Sequence, residues 1–145
     1  MSLADWAKNG WLRPHKTSKE EIANLLEIVE RDLKDASAKG LSDDWKFGIA
    51  YNAALKLCTI LLHSSGYRPE KNLAHYRALQ SLPLILGDKY KSDADYLDTC
   101  RKKRNETEYE FAGNVSEDEV IELLDFCKEL KSAVLTWLKK NGKGS

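Results

Sequence analysis

The residues of this chain best suited to chemistry lie together: Arg101-Lys-Lys-Arg104, then Asn105, Glu108 and Tyr109. A guanidinium can hold two oxygens of a phosphate at once, and a phenol can donate a hydrogen bond or stack on a base. Spacing sharpens the point. Tyr96, Leu97, Cys100 and Phe111 recur at steps of three and four, the mark of the buried stripe of one helix. Between Cys100 and Phe111 that stripe carries Arg104 and Thr107 where Leu or Ile is expected. An arginine on a burial face costs free energy unless it is paired or lines a cleft. Asn105 and Tyr109 lie beside Arg104, one turn apart, as candidate site residues, with Arg101, Lys102 and Glu108 as a candidate binding fringe. The plainer alternative is a solvated charge run. Arg101 would then reach Asn105 and Arg104 would reach Glu108, each pair worth about 0.2–0.5 kcal/mol, while Lys102, Lys103, Glu106 and Glu110 face water. A polar site and a contact with a partner both remain open on this pattern.

The 145 residues, 1–145, read as one domain, enough to bury a core without disulfides. Basic and acidic residues balance at 23 each, so no overall field draws the protein to nucleic acid or an anionic membrane. Any nucleic-acid contact must come from a local basic patch. Cys58, Cys100 and Cys127 are odd in number, far apart and set in apolar helical stretches. They suit reduced, buried thiols of a cytoplasmic protein better than a disulfide framework. The amino terminus lacks the apolar run of a signal peptide. The stretch from Ile49 to Leu62 is interrupted by Asn52, Lys56 and Thr59, so no membrane span is expected. Asn105-Glu-Thr107 and Asn114-Val-Ser116 fit the glycosylation pattern, which without a secretory route is coincidence.

Caps and periodicity lay out the elements. Ser2 with Asp5 opens a short helix over 3–10, weighted by Trp6, Trp11 and Leu12 and expected to dock on the main body. Ser18 with Glu21 forms a capping box for a helix over 18–38, whose Ile22, Leu25, Leu26, Val29 and Leu33 keep amphipathic order. Ser42 caps a helix over 43–64 that becomes apolar on nearly all sides after Ile49, as the centre of a bundle would. Gly48 in that helix implies close packing. Gly66 to Pro69 reads as a turn, and a helix over 70–82 follows until Pro83 breaks it. Ser92 with Asp95 caps a helix over 93–112, ended by Gly113, and Ser116 with Glu119 caps the last, over 116–140. The pattern is all-α: an antiparallel up-and-down helical bundle of four to five main helices plus a short N-terminal helix.

His15, His63 and His75 fall in different elements without metal-ligand spacing, and there is no Cys-x-x-Cys, so neither metal nor cofactor is expected. His63, near a helix end, is explained by a favourable dipole contact. His63-Ser64-Ser65 lacks a visible acid partner for a nucleophile, and the four tryptophans read as packing anchors.

Beyond these residue-level readings, the chain resembles the HEPN superfamily of small helical domains. The resemblance runs from about Ser42 to Leu138 and rests on Tyr51-Asn-Ala-Ala-Leu55, on Gly66-Tyr-Arg followed by His75, Leu79 and Leu82, and on Arg104-Asn105 with Tyr109. It implies a homodimer. In active members Arg, a polar residue and a following His from two copies form a metal-independent ribonuclease site. Carried over, Arg104 would stabilise charge on a phosphate oxygen and Asn105 would orient it. Tyr109 stands at the place of that His and Phe111 at the place of a Tyr. A phenol titrates near 10 and is a poor base at neutral pH, and losing acid–base help removes about 10²–10⁴ in rate. The first expectation is therefore a non-catalytic or weakly active domain that binds a nucleotide, RNA or protein partner. The alternatives are a ribonuclease toxin paired with a nucleotidyltransferase antitoxin, and a structural module whose polar stripe fixes dimer register.

Overall fold

A computed structural model describes residues 1–109 and 113–142, the side chains of 107–109 excepted. Its elements run α1 (Leu3–Lys8), β1 (Leu12–Pro14), α2 (Lys19–Asp35), α3 (Asp43–Ser64), β2 (Tyr67–Pro69), α4 (Ala74–Gln80), α5 (Leu82–Leu86), a 3₁₀ turn (Asp88–Tyr90), α6 (Lys91–Tyr109) and α7 (Glu117–Lys140). The architecture is all-helical and bundle-like, as the hydrophobic periodicity requires. α3 is its axis, packed by α2 and α7 and flanked by α6 and α4. Phe47, Tyr51, Leu57, Ile60 and Leu61 of α3 are buried, on more than one side of the helix. Burying a helix all round leaves no solvent face for polar residues, which is why its sequence loses amphipathic contrast.

The caps act as their residue types dictate. Ser2 with Asp5 and Ser116 with Glu119 form reciprocal capping boxes, and Ser42 Oγ accepts from Trp45 N. Ser18 is a partial exception: its hydroxyl accepts from Glu21 N at 3.1 Å, but the Glu21 carboxylate turns away to other partners. Trp6 and Leu12 pack with Leu62, which docks the N-terminal segment on the body. Asp32, on the inner face of α2, is 4 % exposed and accepts from Asn52 Nδ2 of α3 at 2.6 Å. The three cysteines are free and buried. No helix among the described residues is long and apolar enough to cross a membrane.

Several boundaries differ from the sequence reading, each for a local reason. Residues 67–69, expected as a turn, pair antiparallel with residues 12–14, placing Leu12 opposite Pro69 and Pro14 opposite Tyr67. That ladder delays the next helix, expected from 70, until Ala74, after Leu73 takes a left-handed φ of 57°. The helix expected over 93–112 begins at Lys91, because the 3₁₀ turn after Gly87 feeds straight into it; Ser92 therefore lies inside the helix and does not cap it. Helices expected over 3–10 and 18–38 end at Lys8 and Asp35. Trp45 is 68 % exposed and is no packing anchor.

Candidate functional site

Arg104 is turned inward. Its guanidinium carbon lies 5.5 Å from the centre of the Tyr51 ring, and its Nε is shielded from solvent. Beside it stands Gly48, one turn before Tyr51 on α3, where an added Cβ would sit 4.0 Å from Arg104 Nε, an ordinary contact, and meet no other atom of the described residues within that distance. Gly48 thus adjoins the guanidinium, and among the described residues no neighbouring backbone comes as close to it as the sequence reading expects. Tyr51 is fully buried as the floor beneath the arginine. Burial pushes its phenol above the usual range although the charges of Arg101 and Arg104 oppose the shift. No described residue hydrogen-bonds its hydroxyl.

Further cations gather around this floor. Arg101 is half-buried, with Nε donating to Asp98 Oδ1 at 2.8 Å and its guanidinium 5.8 Å from the Tyr76 ring. Asp98, one turn earlier on the helix, replaces the expected Asn105 as its partner. His75 of α4 stands beside Tyr51, ring centres 6.4 Å apart. Burial, and then the positive charges of Arg104, Lys56 and Arg101, hold its imidazole below the usual range. The His75 imidazole, Arg104 and Arg101 thus meet around Tyr51 and Tyr76 from α4 and α6, with Asp98 beside Arg101.

The other residues singled out in the sequence divide. Asn105 is exposed and is not brought to the Arg104 face within one chain. Lys102 is exposed and pairs with Asp98 at 3.4 Å. Lys103, expected to face water, is half-buried and pairs with Glu119 of α7 at 2.6 Å. The side chains of Thr107, Glu108 and Tyr109, and residues Glu110 and Phe111, lie outside what the structure describes. At the far end of this segment Gly113 N donates to Asp44 Oδ2 at 2.7 Å, tying the chain after α6 to the first turn of α3.

A second polar cluster lies away from this face. His15 Nε2 is 2.8 Å and His63 Nδ1 2.9 Å from the same oxygen, Glu21 Oε1, and Thr17 Oγ1 donates to that oxygen at 2.6 Å. The imidazole rings face each other with centres 4.0 Å apart. Partial burial works against ionisation of Glu21, but the hydrogen bonds from Thr17, His15 and His63 prevail and hold its pKa down to about 2. Burial lowers the His63 pKa, with the Glu21 hydrogen bond opposing it. His63 does stand in the last turn of α3, where the dipole contact is expected, and its ring also meets Glu21. Sequence reasoning missed the grouping because its members come from three elements. The only local sign is a carboxylate at a capping position with a histidine six residues before it.

Among known protein families, curated proteins and solved structures, none matches this chain.

Proposed function

We propose that this protein is a HEPN-like helical domain that acts as a homodimer and binds the phosphate groups of RNA or a nucleotide on its Arg104 face, without efficient catalysis. One observation carries the reading: the Arg104 guanidinium is seated over Tyr51 beside Gly48, with Arg101 against the Tyr76 ring and His75 against Tyr51 on the same side. Positive charge gathered over a buried aromatic floor suits a phosphate, which a guanidinium meets with two parallel hydrogen bonds. The zero net charge agrees with a local binding patch in place of a global basic field. Trp45, on the same side of α3 as Gly48, leaves a large aromatic surface exposed beside the patch. Exposed aromatics of this kind anchor protein interfaces, so a second copy covers it in this reading.

The test is binding of a short single-stranded RNA to the purified chain over a range of salt. Affinity should fall linearly with salt on a double-logarithmic plot. Arg104→Ala should weaken it by roughly 10- to 100-fold, about the value of one hydrogen bond to a charged group. Equal binding by both proteins would contradict the proposal.

RNA cleavage is the second reading, and His75 favours it. An imidazole held neutral beside two arginines can accept a proton, the service that Tyr109 performs poorly. RNA cut in the presence of chelator by the wild type, but by neither His75→Gln nor Arg104→Ala, would establish that reading. Intact RNA in all three reactions removes it.

A further inference from the structure

We propose that His15, Glu21 and His63 form a binding site for a divalent transition metal of the zinc type, joining the β1–α2 connection to the first turn of α2 and the last turn of α3. It is independent of the Arg104 reading and shares no residue with it.

The geometry is that of ligands gathered about one point. One donor atom from each residue lies within 4.8 Å of the other two. Both ring nitrogens aim at a single carboxylate oxygen, at 2.8 and 2.9 Å. With Thr17 at 2.6 Å, three groups crowd that oxygen, which offers only about two lone-pair directions. A cation between them relieves the crowding. The two imidazole contacts become nitrogen–metal bonds, each ring carrying its proton on the far nitrogen, and Thr17 keeps its hydrogen bond to Glu21 as the group that orients the ligand. Ligand atoms in a tetrahedral shell with bonds of ~2.0–2.1 Å stand roughly 3.3 Å apart. The observed separations need to open by only about half an ångström.

The donor set selects the class of ion. Two imidazoles and one carboxylate, without thiolate, match open zinc sites, which take three protein ligands and leave a position for water or substrate. Calcium and magnesium call for all-oxygen shells. Space for a further ligand adjoins the cluster: a cleft of about 210 Å³ is lined by Thr17, Ser18, Lys19, Ile22, Ser64 and Gly142. Within its wall Ser64 Oγ is buried with no hydrogen-bond partner among the described residues.

The fold holds these ligands in place by other means. His15 N donates to Gly66 O at 2.8 Å, continuing the β1–β2 pairing and fixing His15 against the chain that leaves α3 just after His63. Glu21 is committed in turn, its carboxylate withheld from the capping box that its position after Ser18 allows. Ligands positioned by backbone pairing and a helix cap suit a site organised before the ion arrives.

Titration of the chelator-stripped full chain with zinc chloride should show saturable uptake of one zinc per chain. In spectra of the wild type, the ring protons of His15 and His63 should shift on zinc addition, while those of His75 stay in place. His15→Asn and His63→Asn should each weaken zinc binding by more than the roughly 10- to 100-fold typical of losing an orienting group, and Thr17→Val should fall within that range. His75→Asn should bind zinc as the wild type does. Absence of saturable uptake by the wild type, or zinc shifts confined to His75, would overturn the site even if a histidine variant failed to fold. Zinc affinity equal to that of the wild type in folded His15→Asn and His63→Asn would overturn it too.

Discussion

The two polar clusters answer the same physical problem in opposite ways. Around Glu21, polar groups are turned onto one acid: two imidazoles and a hydroxyl meet a single carboxylate oxygen, and the acid is held ionised. Around Tyr51, positive charge is in excess among the described residues: Arg104, Arg101 and Lys56 all bear on His75, and Asp98 pairs with Arg101. A cluster that joins the β1–α2 connection, α2 and α3 through one carboxylate ties the fold together. A gathering of cations on an aromatic floor contributes little to folding and is suited to an anion from outside. Changes near Glu21 should therefore register in stability and metal uptake, and changes in the Arg104 side chain in ligand affinity.

The largest effect belongs to the floor that Arg104 rests on. Tyr51 is fully buried, so Tyr51→Ala should cost about 3–5 kcal/mol in denaturant unfolding. Tyr51→Phe should be neutral or mildly stabilising, because no described residue hydrogen-bonds the lost hydroxyl. A loss of more than about 1 kcal/mol in Tyr51→Phe would mean that the phenol belongs to a satisfied network, and the contrast between the clusters would weaken.

Gly48 separates stability from binding. Gly48→Leu would fill the seat of the guanidinium and should lower RNA affinity about as far as Arg104→Ala does. Gly48→Ala, whose Cβ makes only an ordinary contact at 4.0 Å, should keep binding and raise stability by about 0.5–1 kcal/mol through helix propensity. Binding unchanged in Gly48→Leu would show that ligand does not use this seat.

The smallest effect is a pH dependence at Glu21, read in chelator. Its folded-state pKa is depressed, so its contribution to stability is present above about 4.5 and is lost as pH falls toward about 2. Glu21→Gln should show a shallower loss of stability over that interval than the wild type. Parallel profiles would mean that the histidines and Thr17 do not hold the carboxylate ionised.

What could be read from the sequence follows the range of the forces involved. Serine caps and the all-round apolar α3 are local patterns, and they placed the helices to within a few residues. Arg104 was legible because its neighbours along one helix, Leu97 and Cys100, are buried. The β1–β2 ladder was not, since three residues are too few for an alternating pattern and the pairing joins Leu12 to Pro69. Glu21 was legible as a cap residue but not as the partner of His63, because only the α2–α3 packing brings them within 2.9 Å. Arg101 was assigned the wrong neighbour because Asp98 and Asn105 are both within helical reach and only the side-chain direction chooses Asp98.

The most direct test of the account is RNA affinity in a pair of variants, Arg104→Lys and Lys102→Ala. Arg104→Lys keeps the charge and removes the planar fork, so the account predicts a loss close to that of Arg104→Ala. Lys102→Ala removes an exposed charge and should lower affinity only slightly, reducing the salt slope by about 1 at most. Full binding by Arg104→Lys together with a large loss in Lys102→Ala would contradict the account, because RNA would then be sensing surface charge and not the guanidinium seated between Gly48 and Tyr51.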